Sequence, residues 1–176
     1  MERFAEGCFT GIRYQNGVLY AAKSDKHASP PCQIYTHASN TTRPLAALSC
    51  DSDHLVKLEV GKDLVYASCK EDNAIFVFSK DSGTLMQKIT TVTYVSISGP
   101  MTSEDHTLSG PSINQIDEND SLLVLEKKKQ ISLLLADGKW CKICTSKDVD
   151  KPVGTVYFDG KLFVANDYKT LFCFEV

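Results

Sequence analysis

The sequence predicts an all-β protein assembled from repeated four-stranded antiparallel units, and three observations carry that prediction. Short apolar runs rich in Val, Ile, Leu, Phe and Tyr recur along the 176 residues, which is the composition of half-buried or buried strands. Clusters of Gly, Asn and Asp separate the runs, and these are the residues that tolerate positive φ or satisfy their own backbone in tight turns. No segment sustains apolar spacing of i, i+3, i+4 over three turns, so helices have no amphipathic face from which to start.

Each element follows from that punctuation. In residues 8–50 the runs "FTGIRYQ", "GVLYAAKS", "CQIYTH" and "PLAALSC" give four strands, the first two joined by Asn16-Gly17. Residues 54–91 repeat the pattern as "HLVKLEV", "DLVYASCKE", "NAIFVFS" and "TLMQKIT", with Gly61-Lys62-Asp63 and Asp81-Ser82-Gly83 as turns. Residues 112–146 repeat it again as "SINQIDE", "SLLVLEKK", "QISLLLA" and "KWCKICT", turning at Glu118-Asn119-Asp120 and Asp137-Gly138. In residues 152–176 "PVGTVYF", "KLFVANDY" and "TLFCFEV" supply three strands, with Asp159-Gly160 between the first two. The stretch "VSISGPMTSEDHTLSGP", residues 95–111, is rich in Ser, Thr, Gly and Pro and reads as a loop insertion.

The second strands align on Leu19, Leu64, Leu122 and Leu162, which stand 45, 58 and 40 residues apart. A period of about 40 to 45 residues with four strands per period is that of a β-propeller blade. The long middle interval is the one that contains the insertion. The chain therefore reads as one β-propeller domain, or part of one, with about four blades.

The units "VKLEVGKDLVYASCKEDNAIFVFSKDSGTLMQKI" and "INQIDENDSLLVLEKKKQISLLLADGKW" resemble the NHL-type repeat. That pattern runs through a short strand, a Gly/Asp turn, a strand of the type "iyVaD", a polar loop, a strand of the type "I-vfd" and a Gly turn. Its departures are the segments 68–73 and 166–169, which lack the family's usual Asp-Ser-Asn-like sequence. The resemblance implies a propeller like the C-terminal platform of tripartite-motif proteins, which recruits a protein or RNA while upstream RING and coiled-coil segments carry out ubiquitin transfer and dimerisation. NHL-type propellers resemble six-bladed rings, so the chain is expected to be either part of a larger ring or a four-bladed ring closed by Met1 to Phe4.

Lys and Arg number 19 against 22 Asp and Glu, a formal net charge of −3. No global basic field points to DNA, nucleic acid in general or anionic lipid. No run of about 18 apolar residues would span a bilayer, and the first residues lack the basic and apolar regions of a secretory signal. The seven cysteines are odd in number and follow no spacing framework, which fits reduced thiols and a cytoplasmic location. No membrane association is expected.

In a propeller the connections between second and third strands lie at one face and the tight first-to-second turns at the other. The longer loops of the former face are where binding is expected. They carry Lys23, Lys26, Lys70, Lys127, Lys128, Lys129, Tyr168 and Lys169, a basic set that would hold an acidic protein segment or, with Tyr168 stacking a base, single-stranded RNA. Glu71, Asp72, Glu126 and Asp167 interleave with these lysines and reduce their field.

Cys141 and Cys144 stand in a strand, where a period of two sends them to opposite faces, and no second Cys or His pair completes a zinc site. The four histidines are scattered without metal spacing, and no RING ligand set is present. A lactonase-like reading would require calcium held by Asn114, Asp117, Glu118 and Asp159. The expectation is a non-catalytic platform without a cofactor that binds a protein partner, with RNA binding and calcium-dependent hydrolysis as the alternatives.

Overall fold

The computed structural model describes residues 8–24, 32–48, 56–69, 72–95, 103–108, 111–116, 121–126, 130–135, 138–144, 148–149, 152–159, 161–166 and 169–175. These divide into two compact units, residues 1–88 and 89–176. Every regular element among them is a β-strand.

In the first unit, β1 (Cys8–Gln15), β2 (Val18–Ser24), β3 (Cys32–Ala38) and β4 (Thr41–Leu48) form a meander in chain order. A second meander follows with β5 (Val56–Val60), β6 (Leu64–Cys69), β7 (Ala74–Ser79) and β8 (Leu85–Ile89). Asn16 and Gly17 both have positive φ, 49° and 81°, which makes the β1–β2 link the primed two-residue turn whose twist matches that of its strands. Ser39 and Asn40, at 48° and 60°, do the same between β3 and β4.

The two sheets meet face to face. Tyr20, Ala22, Ile34, Ala46 and Leu48 of the first pack with Leu58, Val60, Val65, Ala67, Phe76 and Phe78 of the second, all in one buried cluster. Alternation explains the choice of residues, since Tyr20 and Ala22 share one side of β2 while Val65, Ala67 and Cys69 share one side of β6. The β7–β8 turn also reaches the first sheet. Gly83 has φ +68°, and a β-carbon there would lie 1.7 Å from the Leu45 carbonyl oxygen.

In the second unit, the order is β10 (Ser103–Thr107), β9 (Thr91–Val95), β14 (Trp140–Cys144), β13 (Ile131–Leu134), β12 (Leu122–Leu125) and β11 (Ser112–Ile116). The stretch 95–111, expected to be a loop insertion, thus contains a strand. β10 pairs with β9 from Ser103↔Val95 to Thr107↔Thr91, and β9 joins β14 in parallel at Trp140↔Tyr94. The sequence Ser-Glu-Asp-His-Thr of β10 is polar throughout, so its strand character comes from backbone pairing with the β-branched β9 and leaves no apolar period to read. Polar residues also suit an edge strand, because they discourage further pairing.

A fourth sheet contains β15 (Pro152–Phe158), β16 (Lys161–Asn166) and β17 (Leu171–Glu175). Leu162, Val164, Phe172 and Phe174 of this sheet pack with Leu123, Ile131, Leu133 and Cys141 of the six-stranded sheet. The first strands β1 and β15 carry a bulge at the corresponding place, between Phe9 and Gly11 and between Pro152 and Gly154, and β11 carries one nearer its turn, between Ile113 and Gln115. Recurrence of this irregularity supports the repeat beyond what the apolar pattern shows.

Two glycine substitutions separate backbone strain from collision. Gly17→Ala faces open space, and its left-handed φ alone should cost about 1 kcal/mol in urea unfolding. Gly83→Ala should cost clearly more, about 2–4 kcal/mol, because the Leu45 carbonyl must also move. Equal losses at the two positions would show that the β7–β8 turn does not bear on β4.

Candidate functional site

The meander topology places the second-to-third connections of each sheet at one end and the tight turns at the other. At the connection end of the first unit, Lys23 is half-buried near the end of β2, registered with Phe9 and Gln33. Asp72 accepts an ion pair from Lys88 Nζ at 3.5 Å, and the same ammonium lies 5.0 Å from the Phe76 ring centre. Asp72 is thus engaged by a β8 lysine. That pairing was not legible in the sequence because the two residues are joined only by tertiary register.

At the corresponding end of the second unit, Glu126 N donates to Gln130 O at 2.9 Å. The Gln130 side-chain amide donates to Glu126 Oε1 at 3.3 Å and to Ser132 Oγ at 3.4 Å. These bonds close the base of the loop that carries Lys127, Lys128 and Lys129. After β16, Asn166 Oδ1 accepts from Thr170 N at 2.9 Å, and Lys169 stands exposed with φ 66°. Lys26, Lys70, Lys127, Lys128, Lys129 and Tyr168 lie outside the described residues, so Lys23 and Lys169 are the members of the basic set whose placement is fixed.

A polar cluster at the turn end of the first unit has no local signature in the sequence. Arg13 of β1 makes a two-pronged ion pair with Glu59 of β5, with Nε donating to Oε2 at 2.9 Å and a terminal amino group bonding Oε1. The Glu59 side chain is only 6% exposed and that of Arg13 41%. Arg13 therefore supplies the countercharge that a buried carboxylate needs, and Glu59 holds the guanidinium more firmly protonated than usual. Beside this pair, the Gln15 side-chain amide donates to Val60 O at 3.1 Å. Lys80 Nζ bonds Gln15 Oε1, Gly61 O at 3.0 Å and Lys62 O at 3.2 Å, and it sits 6.0 Å from the Tyr20 ring centre. Burial and then the charge of Asp81 push the Tyr20 phenol up. Lys80 thus donates hydrogen bonds to turn carbonyls of the second sheet and to Gln15 of the first, tying the ends of both sheets together.

The thiols depart from the sequence reading. Cys141 is registered with Leu133 and Cys144 with Ile131, because a bulge beside Ile131 inserts one residue in β14. The extra residue cancels the alternation, so both cysteines enter the same buried cluster instead of opposite faces. Burial, helped by Asp148, pushes Cys144 up to about 11. Of the proposed calcium ligands, Asn114 donates to Thr155 Oγ1 at 2.7 Å and Asp159 is exposed in a turn, while Asp117 and Glu118 lie outside the described residues. Among the described residues no three His, Cys, Asp or Glu side chains converge.

No protein-family model matches the chain, and no curated protein matches it in sequence. Solved structures do match. The computationally designed Ika4 protein superposes with a TM-score of 0.63 at 10% identity, covering 98% of this chain and 93% of its own. BamB from Moraxella catarrhalis superposes at 0.56 with 17% identity, over 97% of this chain and 51% of its own. Hsv2 from Kluyveromyces lactis superposes at 0.52 with 13% identity, over 93% and 59%. BamB and Hsv2 are β-propeller proteins. The sheets are blades of a β-propeller. At these identities the likeness shows the fold alone, and the chain spans about half the length of BamB.

Two outcomes follow from the site. Arg13→Met should destabilise the protein by about 1–2 kcal/mol, discounted for the exposure of the guanidinium, since it strands a buried carboxylate. The double variant Arg13→Met, Glu59→Leu should recover much of that loss in denaturant titrations; no recovery would mean that Arg13 acts through its packing. For the thiols, a pKa of about 11 leaves roughly one Cys144 in a thousand ionised at pH 8. Iodoacetamide should therefore modify the exposed Cys8 and Cys173 well before Cys144, as read by mass spectrometry. The stabilisation from keeping Cys144 neutral is full below about pH 8.5, the unfolded thiol value, and is lost as pH rises towards 11.

Proposed function

We propose that this chain is a non-catalytic recognition platform that binds a protein partner through the second-to-third loop end of its blades, as the substrate-recruiting part of an NHL-type, tripartite-motif-like protein. The observation that carries this reading is the asymmetry of the sheet ends. One end is closed by tight turns and by the Lys80 clamp on backbone carbonyls, whereas the other carries the longer connections, including residues 25–31 between β2 and β3. Long loops on a rigid sheet scaffold are where recognition residues accumulate. The lysines there suit an acidic segment of the partner, and the reduced thiols suit action in the cytoplasm.

A photo-crosslinking residue at Lys169, compared with one at Lys62 on the turn end, tests the reading in cell extract. Protein adducts formed from position 169 and not from 62 support it. Adducts from 169 that ribonuclease removes would favour single-stranded RNA instead, and the charge reversal K127E/K128E/K129E should then weaken RNA binding and flatten its salt dependence. Equal capture from both ends would sink the assignment of the loop end.

A further inference from the structure

The first and fourth sheets each pack one face into a core cluster and leave large apolar side chains of the other face exposed, with Ala21 buried among them on the first sheet. On the first sheet, Ile12 is 55% and Tyr14 72% exposed, and on the fourth, Val156 is 47%, Phe158 71% and Leu171 66% exposed. Monomeric soluble proteins rarely leave large apolar side chains grouped on one sheet face without a partner.

Strand register shows which faces these are. In the first sheet, Ile12 pairs with Ala21 and Tyr14 with Leu19, so all four share the face opposite to Tyr20 and Ala22. In the fourth sheet, Val156 pairs with Phe163, Phe163 with Cys173 and Ala165 with Leu171, so these share the face opposite to Leu162 and Val164. Counting from the matched turns, where Gln15↔Val18 and Phe158↔Lys161 are the last pairs, Leu19 and Ala21 correspond to Leu162 and Val164. Likewise Tyr20 and Ala22 correspond to Phe163 and Ala165.

The consequence is a complementarity. The exposed face of the first sheet is the counterpart of the face with which the fourth sheet packs on the six-stranded sheet. The exposed face of the fourth sheet is the counterpart of the face with which the first packs on the second. One is the leading half and the other the trailing half of the junction that the repeat already makes inside each unit. Their apolar character matches too, with aromatic and β-branched residues on both.

We propose that the fourth sheet of one copy docks on the first sheet of a second copy, through Val156, Phe158 and Leu171 against Ile12 and Tyr14. The junction continues the blade-to-blade packing seen within each unit and joins two different faces head-to-tail; made twice in one pair, it closes a ring of two copies and leaves neither face free. A second copy is favoured as the occupant because it necessarily carries the matching half-junction. Two copies also supply roughly the length of one BamB chain, of which a single copy spans 51%.

The test is the mass of the full chain by light scattering and sedimentation velocity, for the wild type and for Tyr14→Lys and Phe158→Lys. Both positions are exposed, and circular dichroism verifies that each variant keeps its strands. The wild type should weigh twice a single chain at micromolar concentration, and each variant should fall to the mass of one. An equimolar mixture of the two variants should recover a one-to-one pair, because one keeps an intact fourth-sheet face and the other an intact first-sheet face. A wild type that stays at single-chain mass, a loss caused by only one of the variants, or a mixture that fails to pair would each overturn the proposal.

Discussion

A sheet that is apolar on both faces cannot be stable alone, and this constraint governs the arrangement of the whole chain. β6 and β7 are buried along almost their entire length, so the second sheet needs cover on both sides. One unit of four strands would leave such residues in water at a cost of about 25 cal/mol for each Å² of apolar surface. Repetition solves the problem by giving each sheet a neighbour of its own kind. The outer strand β8 is exposed over four of its five residues, because no further strand of its sheet lies beyond it.

Stacking by apolar faces fixes which sheets touch but only loosely fixes their alignment. In the first unit, alignment is set by directional contacts at the sheet ends. The Arg13–Glu59 pair has one geometry that satisfies both planar groups, and Gly83 admits the Leu45 carbonyl where any side chain would collide. Lys80 adds bonds to two turn carbonyls, those of Gly61 and Lys62. A rigid turn end leaves the opposite loops free to differ in sequence without disturbing the stack. That division of labour underlies the functional reading.

The β9–β10 hairpin shows how the repeat accommodates an addition. It enters after a completed blade and attaches beside the outer strand β14 at Tyr94 and Trp140, so the apolar faces of the blade are not interrupted. An insertion within a blade would instead shift register and turn core residues towards solvent.

The sequence by itself determined the strands of the four blades, the Asn16-Gly17 turn and the repeat, because apolar alternation and turn chemistry are local properties. It also marked Lys23 and Lys169 as loop-end residues, since a meander assigns ends by counting strands. What only the tertiary structure decided has no local signal. The Arg13–Glu59 pair links residues 46 apart in the chain, the strand β10 is polar and owes its existence to its partner, and the bulge in β14 places Cys141 and Cys144 on one face where simple alternation separates them. Each depends on backbone register between segments distant in the chain, and register is an outcome of packing rather than of any short stretch of residues.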